Sequence, residues 1–303
     1  MYLCAVNHDE LIKQLTPLHG AGEARAIVRM VMEERFGLSQ TDLLLGKDTT
    51  LSSSDHTEFE KIASRLLAGE PVQHVLGYAD FCGHRFRLTP EVLIPRPETE
   101  QLVTYATQIL KSSNSQILNS LNILDLCTGS GCIAISLALA CPKAHVTAVD
   151  ISAEALAVAR DNAEVLQASN ITFLQQDILE TSSSSALRFC RTGAPSFALL
   201  TANPPYVRTS EAASMSPTVL DHEPSLALFV PGDDPLLFYR AIARIGLEVL
   251  VPDGLVMVEL NTALADDTRH LFAEAGYADV QLINDQFDRP RFLCGHKRIS
   301  SSS

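Results

Sequence analysis

This 303-residue chain lacks the patterns that mark metal sites, membrane spans and secretion. Its seven cysteines are scattered and none forms a C-x-x-C pair, which argues against a zinc site and against a disulfide framework. No apolar run approaches the roughly 18 residues of a membrane helix. The N-terminus has no basic region before an apolar core. We therefore expect a cytoplasmic protein with reduced thiols, no metal and no membrane partner.

Positive charge is also scarce in this chain. It has 23 lysines and arginines against 36 aspartates and glutamates, which gives a net charge of −13. A protein that grips nucleic-acid phosphates needs clustered basic residues, so we expect no direct nucleic-acid partner. The length and the 46% hydrophobic content suffice for one large domain and a smaller one.

The chain is organised around a strand, a glycine turn and a helix. Ile123, Leu124 and Leu126 form a short apolar run, residues 128–131 read T-G-S-G, and residues 132–141 contain a single polar side chain. A glycine turn puts no Cβ between a ligand and the backbone, and the following helix offers free N–H groups. The stretch therefore predicts a cofactor site at the carboxyl end of a strand.

Two cofactors fit this stretch. Residues 129–134 match the relaxed dinucleotide fingerprint G-x-G-x-x-A. Asp150 ends the next apolar strand, where an acid suits a ribose hydroxyl of either NAD or S-adenosylmethionine. Asp125, inside the first strand, favours S-adenosylmethionine, because an acid among apolar residues needs a partner such as a cofactor ammonium or the N–H groups of the loop. An α/β turn without a ligand is the remaining alternative.

A second chemical centre follows the apolar strand 197–200, with the sequence Asn203-Pro204-Pro205-Tyr206. The two prolines remove two N–H donors and fix the backbone. They leave the Asn203 side-chain oxygen and the Pro204 carbonyl as acceptors, and Tyr206 adds a flat face. This combination predicts a pocket for a planar group that carries an NH₂, and a rigid turn with a cis proline is the alternative.

A segment with two prolines, I-P-R-P-E-T-E at residues 94–100, leads into a predicted helix over 98–111 and includes its first turn. The pattern is that of a strong helix start. The same pattern is equally typical of a segment that brings Arg96 and Glu98 to the mouth of the site. Spacing alone does not separate these two interpretations.

The two centres together predict methyl transfer to an amide or exocyclic amino nitrogen. Such a nitrogen is a poor nucleophile because its lone pair is delocalised, and accepting both of its hydrogens lets it pyramidalise. The protein would need to align this nitrogen and the methyl group at roughly 3–3.5 Å. No strong base is needed if the proton leaves after the transfer, which agrees with the lack of His, Asp or Glu beside Asn203 in the sequence.

Strand and helix signals indicate the domain organisation. Residues 1–76 carry apolar stripes at helical spacing, and residues 77–95 are punctuated by glycine and proline as in a β-hairpin linker. Over residues 96–303, the predicted catalytic domain, the signals alternate as a parallel, doubly wound α/β sheet requires. We expect seven strands, at residues 122–127, 145–150, 171–174, 197–202, 255–260, 279–284 and 291–295.

Several stretches of the chain together match the pattern of one known family. They read G-E-P-V-Q-H at 69–74, V-L-I-P-R-P-E-T-E at 92–100, D-L-C-T-G-S-G at 125–131, N-P-P-Y at 203–206 and E-P at 223–224. With these motifs the chain resembles the HemK/PrmC-like peptide chain release factor glutamine methyltransferases over nearly its whole length. The resemblance implies a Rossmann-like class I methyltransferase sheet with a small N-terminal helical domain. N-P-P-Y alone is shared with amino-adenine and amino-cytosine methyltransferases, so only the combination of motifs is specific for this family.

The resemblance implies S-adenosylmethionine as the cofactor, with S-adenosylhomocysteine as its product. Asp150 would hold the ribose of the cofactor, and Asp177 and Ile178 would flank its adenine. The glycine turn would cradle its methionine end through Cys127, Thr128, Gly129, Ser130 and Gly131.

For the substrate, the resemblance implies the glutamine of the Gly-Gly-Gln motif in class 1 release factors, methylated on its side-chain nitrogen N5. Asn203 would contact both the cofactor and the substrate amide. The helical domain would help to dock the release factor. The amide pocket would be completed by Pro204, Pro205 and Tyr206, with Arg96 and Glu98 at its mouth.

Three positions depart from the family pattern. Ile178 stands where an aromatic residue is frequent, Asn261 where glycine is frequent, and Pro235 where glycine often follows the aspartate. These departures concern the adenine packing and the loops near the substrate, and they leave the reaction type untouched.

Other classes of protein share part of this pattern. A methyltransferase that modifies a ribosomal-protein glutamine would differ mainly in the N-terminal domain. A nucleic-acid N6-adenine methyltransferase should also show a basic groove or a target-recognition domain. If the protein were a non-enzymatic binding module, the presence of both chemical centres would have no explanation. A dehydrogenase would need an acid for hydride transfer, which N-P-P-Y does not supply.

Overall fold

The computed structural model describes residues 7–112, 121–180 and 197–298. Its contacts divide these residues into a unit of 7–78 with 215–222 and a unit of 79–214 with 223–298. The helices are α1 (His8–His19), α2 (Ala21–Phe36), α3 (Gln40–Leu44), α4 (Ser53–Leu67), α5 (Val72–Leu76), α6 (Thr99–Ser112), α7 (Cys132–Ala140), α8 (Ala153–Val165), α9 (Pro217–His222), α10 (Ser225–Leu228), α11 (Leu237–Val249) and α12 (Ala265–Ala275). The strands are β1 (Tyr78–Phe81), β2 (His84–Arg87), β3 (Asn122–Leu126), β4 (His145–Asp150), β5 (Ile171–Gln175), β6 (Phe197–Ala202), β7 (Leu250–Glu259), β8 (Tyr277–Asn284) and β9 (Pro290–Lys297).

The smaller unit is helical, as the apolar stripes predict. The start of α4 is stabilised by hydrogen bonds between residues that are close in the sequence. The Ser52 side chain accepts a hydrogen bond from the Asp55 amide, and the Asp55 side chain accepts one from the Ser52 amide, which forms a capping box. The stripe residues of α2 and α4 lie in one apolar core. The buried side chains of that core include Leu11, Leu15, Val28, Val31, Phe59, Ile62 and Leu66.

The β-hairpin expected between residues 77 and 95 is present as β1 and β2. Cys82 and Gly83 join its strands, both with positive φ (49° and 75°), which suits the right-handed twist of a two-residue hairpin. Phe81 and Phe86 pack edge to face, with ring centroids 6.0 Å apart, and lie in the core of the larger unit. From Ala79 onward, the hairpin is therefore built into the larger unit.

The larger unit confirms the α/β class and the seven-stranded sheet. The strand order is β5-β4-β3-β6-β7-β9-β8. The chain runs outward from β3 through β4 to β5 and then returns to β6 on the other side of β3. The order thus reverses between β3 and β6, which is where open α/β sheets bind ligands.

The sheet is mostly parallel, and its last strand is the exception. β9 runs antiparallel to both β7 and β8. Residues 285–289 make the connection from β8 to β9, and a link this short permits a hairpin but not a parallel crossover. Asp285 stabilises this turn by accepting hydrogen bonds from the amides of Phe287 and Arg289.

The elements around the reversal point are deeply buried. Leu124 and Leu126 of β3 are fully buried, and α7 is buried from Cys132 to Ala138. A helix enclosed on most sides matches its apolar sequence. None of the described helices is long and apolar enough to cross a membrane.

Candidate active site

A cavity of about 630 Å³ lies at the carboxyl ends of β3, β4, β5 and β6. The glycine turn after β3 forms one side of it, and Asn203 and Pro205 after β6 contribute to another. Of the residues predicted from the sequence, the cavity is lined by Arg96, Cys127, Thr128, Gly129, Ser130, Asp150, Asp177, Ile178, Asn203 and Pro205. Glu98, Gly131, Pro204 and Tyr206 are not among the lining residues.

The glycine turn has an unusual backbone. Cys127, Gly129 and Gly131 all have positive φ, at 58°, 54° and 80°. The Thr128 amide donates to the Val149 carbonyl of β4 over 3.0 Å, which ties the turn to the neighbouring strand. A non-glycine residue in the left-handed region is typical of functional sites, because the surrounding structure must hold it there.

Gly131 has a packing role in this turn. A Cβ at this position would lie 2.8 Å from Ile135 Cδ1 and 3.1 Å from Ala159 Cβ, so α7 and α8 leave no room for a side chain. Gly129, by contrast, has nothing within 4 Å of the position of a Cβ. Gly129 is therefore the glycine that keeps the cavity side of the turn open.

Asp125 finds its partners within the protein. The sequence interpretation named a cofactor ammonium or the N–H groups of the loop; within the described residues the donors are hydroxyl groups and not loop N–H groups. Its carboxylate accepts hydrogen bonds from the hydroxyls of Thr128 and Thr201, each over 2.7 Å. Burial raises the pKa of this carboxyl to about 7 despite these two donors, and the charge of Asp150 adds to the shift.

Asp150 joins the two strands that border the cavity. Its Oδ2 accepts from the Gly129 amide over 2.8 Å, and its Oδ1 accepts from the Ser152 amide over 3.0 Å. Burial raises the pKa of this carboxyl, against the effect of the backbone donors. The carboxylate lines the cavity while it holds the glycine turn in position.

The donors and charges at this turn favour a cationic cofactor. In a dinucleotide site the backbone amides of the glycine turn bind a pyrophosphate, but here the Gly129 amide is already bonded to Asp150. Asp177 also lines the cavity, and its carboxylate would repel a pyrophosphate placed beside it. S-adenosylmethionine carries a sulfonium and an ammonium, so the acidic lining fits it.

Cys127 stays uncharged at this site. Burial raises the pKa of its thiol, and the nearby carboxylates of Asp150, Asp125 and Asp177 raise it further. The neutral thiol therefore lines the cavity and does not act as a nucleophile.

Asp177 and Ile178 follow β5 at the far side of the cavity. Asp177 accepts from the Leu179 amide over 2.8 Å, which forms a local turn. Ile178 is buried and packs into the core beside the sheet. An aliphatic side chain thus occupies the position where the family often has an aromatic one.

The Asn203–Tyr206 turn is held from behind by β7 and the residues after it. Ala202 pairs with Val258, so the turn and Glu259 lie side by side. The Tyr206 hydroxyl lies 3.4 Å from Glu259 Oε1, and the Asn261 side chain donates to the Tyr206 carbonyl over 3.3 Å. Asn261, which departs from the family pattern, is therefore a support of this turn.

The Asn203 side chain has no hydrogen-bond partner within the described residues, and it lines the cavity. A free carboxamide at this place can accept or donate to a ligand. Arg96 is engaged, because its guanidinium donates to Glu223 over 2.6 Å. The structure thus brings Asn203, Pro205 and Arg96 to the same cavity as the glycine turn.

Sequence reasoning missed part of the cavity wall. Apolar side chains after the Glu223-Pro224 motif line it, and so does one from the first turn of α11: Leu226, Phe229, Val230 and Phe238. The signal available in the sequence was the short apolar run after Pro224, which lies outside any strand. No group of three or more His, Cys, Asp or Glu that could hold a metal ion is present in the described ranges.

Comparisons with known proteins match both units. Residues 11–77 match the PrmC N-terminal domain, and residues 117–190 match a methyltransferase domain. A methyltransferase structure from Pyrococcus furiosus aligns with 78% of this chain and 98% of its own, at 16% identity and a TM-score of 0.50, which supports the fold alone.

Two relatives align along almost the whole chain. The release factor glutamine methyltransferase of Bacteroides thetaiotaomicron is 40% identical over 94% of this chain and 97% of its own length. The enzyme of the same name from Flavobacterium psychrophilum is 35% identical over 94% of this chain and 95% of its own. The chain therefore belongs to the family of release factor glutamine methyltransferases.

Proposed function

We propose that this protein transfers a methyl group from S-adenosylmethionine to the side-chain amide nitrogen N5 of the glutamine in the Gly-Gly-Gln motif of class 1 peptide chain release factors. The observation that carries the proposal is the free Asn203 carboxamide in the same cavity as the acidic glycine turn. One centre suits a sulfonium cofactor, and the other suits a planar group with an NH₂.

In this proposal some residues of the site bind the cofactor and others orient the substrate amide. S-adenosylmethionine supplies an electrophilic methyl group and leaves as S-adenosylhomocysteine. Asp150 and residues 127–130, which line the cavity, would hold the cofactor. Asn203 Oδ1 and the Pro204 carbonyl accept the two amide hydrogens, which frees the nitrogen lone pair for attack. The nitrogen would form its new bond to the methyl carbon as the bond from that carbon to the sulfonium sulfur breaks, the electron pair would go to the sulfur, and the nitrogen would then lose a proton to solvent.

The remaining site residues take supporting roles in this proposal. Pro205 and Tyr206 complete the amide pocket, and Arg96 and Glu98 lie toward its mouth. Asp177 and Ile178 flank the adenine. Residues 1–76 help to dock the release factor, which is supported by the PrmC N-terminal domain match over residues 11–77.

The relatives' names support a release factor as the substrate. The net charge of −13 fits a protein loop better than a nucleic acid. The test is methyl transfer from labelled S-adenosylmethionine to a purified class 1 release factor and to its Gly-Gly-Gln variant with alanine in place of the glutamine. Bulk ribosomal protein and DNA serve as competing substrates.

We expect label on the release factor and none on its alanine variant. Label that persists on the variant would move the reaction to another atom. Label on a ribosomal protein or on DNA instead would contradict the release factor as substrate, while it would leave the cofactor site and the amide pocket in place.

A further inference from the structure

A buried carboxylate next to the cavity has no role in the chemistry above. The Glu223 side chain is only 1% exposed, whereas its partner Arg96 is 35% exposed. Arg96 Nη2 donates to Glu223 Oε1 over 2.6 Å, and the Ile94 amide donates to Oε2 over 3.3 Å. A buried carboxylate is costly without partners, so its place in the fold depends on these two donors.

The ion pair joins two walls of the cavity. One wall contains Leu93, Pro95 and Arg96, and the other begins at Pro224 and continues through the apolar residues to Val230. Arg96 and Glu223 are 127 residues apart in the chain. Proline follows Glu223 and flanks Arg96 on both sides, so the backbone at each end of the pair is stiff.

The second wall is also bonded to the Asn203–Tyr206 turn. Val207, the next residue, donates to the Leu228 carbonyl over 3.0 Å, and the Val230 amide donates to the Val207 carbonyl over 2.9 Å. A displacement of the wall after Glu223 would therefore move the end of the amide pocket. In this way the position of Asn203 depends on a contact that is remote in sequence.

We propose that Glu223 is a positioning residue for methyl transfer, and that Arg96 acts through Glu223 rather than on the substrate directly. The pair holds the wall at residues 93–96 against the wall at residues 224–230, and so keeps the Asn203–Tyr206 turn at the correct distance from the glycine turn. This inference rests on the proposed function, and it assigns Arg96 a different role from the substrate contact implied by the family resemblance.

The test is a double-mutant cycle with Arg96→Met, Glu223→Gln and the double variant. kcat and KM are measured for the release factor, and S-adenosylhomocysteine affinity by calorimetry. We expect each single variant to lower kcat by about tenfold or more, because the nitrogen and the methyl group are misaligned. The double variant should be no slower than the slower single variant, because both substitutions break the same contact.

Multiplicative losses in the double variant would overturn the proposal, because Arg96 would then act independently of Glu223. A Glu223→Gln enzyme with wild-type kcat would overturn it too. If Arg96→Met does not fold, Arg96→Lys with Glu223→Gln closes the same cycle. The control is Arg87→Met, which removes an exposed ion pair with Asp161 and should leave kcat unchanged.

The experiment distinguishes failure of the positioning role from failure of the proposed function. Wild-type turnover on the release factor tests the function by itself. If the wild type methylates the factor and the cycle is additive, only the positioning role fails. If the wild type does not methylate the factor, the function fails. In that case the affinity for S-adenosylhomocysteine still tests whether the Arg96–Glu223 pair holds the two walls together. Losses of affinity that are not additive in the double variant support the pair. An affinity that is unchanged in both single variants contradicts it.

Discussion

At the scale of single residues, Asp150 is the clearest link between geometry and cofactor binding. Both of its carboxylate oxygens accept backbone N–H groups, one from Gly129 and one from Ser152. An asparagine would have to turn its NH₂ toward one of these donors, so it would lose a bond as well as the charge.

We therefore expect Asp150→Asn to weaken S-adenosylmethionine binding by about tenfold or more, with a smaller effect on kcat at saturating cofactor. Titration calorimetry measures the affinity directly. Asp161→Asn, at an exposed position, is the matched control. An Asp150→Asn affinity equal to that of the wild type would rule out a role for Asp150 in holding the cofactor.

Asn203 carries the proposed transition-state contact. Its carboxamide lines the cavity and is not used elsewhere in the described part of the chain. Asn203→Ala should lower kcat by about a hundredfold, with an unchanged thermal unfolding temperature, because it removes a contact made to the reacting nitrogen.

The exposed Asn284 supplies a matched control, since Asn284→Ala changes the same side chain at the end of β8. Steady-state kinetics on the release factor and a circular-dichroism melt test both variants. Near-normal turnover in Asn203→Ala would contradict the amide-pocket assignment.

At the scale of elements, the junction between β3 and α7 depends on two glycines for different reasons. Both have positive φ, which strains any residue with a Cβ. Only Gly131 also abuts α8, because its Cβ would contact Ile135 and Ala159.

Gly131→Ala should therefore destabilise the protein more than Gly129→Ala. Backbone strain costs about 1 kcal/mol in each variant, and overpacking adds about 1–3 kcal/mol at position 131 alone. Denaturant unfolding of the two variants and the wild type measures the difference. Equal free energies of unfolding would show that α7 and α8 adjust to the added methyl group.

A second junction links the amide pocket to the start of α6. Thr99, the first residue of α6, donates to the buried Glu259 over 2.6 Å, and Glu259 faces the Tyr206 hydroxyl. The carboxylate at the end of β7 thus lies between the helix start predicted from P-R-P-E-T-E and the turn predicted from N-P-P-Y. Glu259 is buried, and this removal from water raises the pKa of its carboxyl.

At the scale of the whole molecule, buried acids make stability depend on pH. Asp125, Asp150 and Glu259 all have pKa values raised by burial, Asp125 to about 7. The folded state then binds protons more tightly than the unfolded chain does. The stabilising contribution is complete below the unfolded pKa, near 3.8 for Asp125, and is lost as the pH rises through the folded value.

We expect the free energy of unfolding of the wild type to fall from pH 5 to 7 relative to Asp125→Asn, by up to about 1.4 kcal/mol per pH unit. The Asn variant removes this titration and keeps the shape of the side chain. Urea unfolding at several pH values compares the two proteins. Parallel curves over this range would show that Asp125 does not titrate there.

Sequence alone determined the parts of this protein that are local in the chain. The apolar run and T-G-S-G specified a strand, a turn and a helix, because backbone conformation there depends on neighbours a few residues away. The prolines after Asn203 likewise marked a rigid set of acceptors. Family motifs then indicated the reaction that this family catalyses.

Tertiary structure decided which partners the charged residues have. Asp125 meets Thr201 across 76 residues, Arg96 meets Glu223 across 127, and Glu259 meets Thr99 across 160. It also decided that β9 runs antiparallel. Such contacts depend on strand order and register, which the packing of the whole sheet sets and no local pattern encodes.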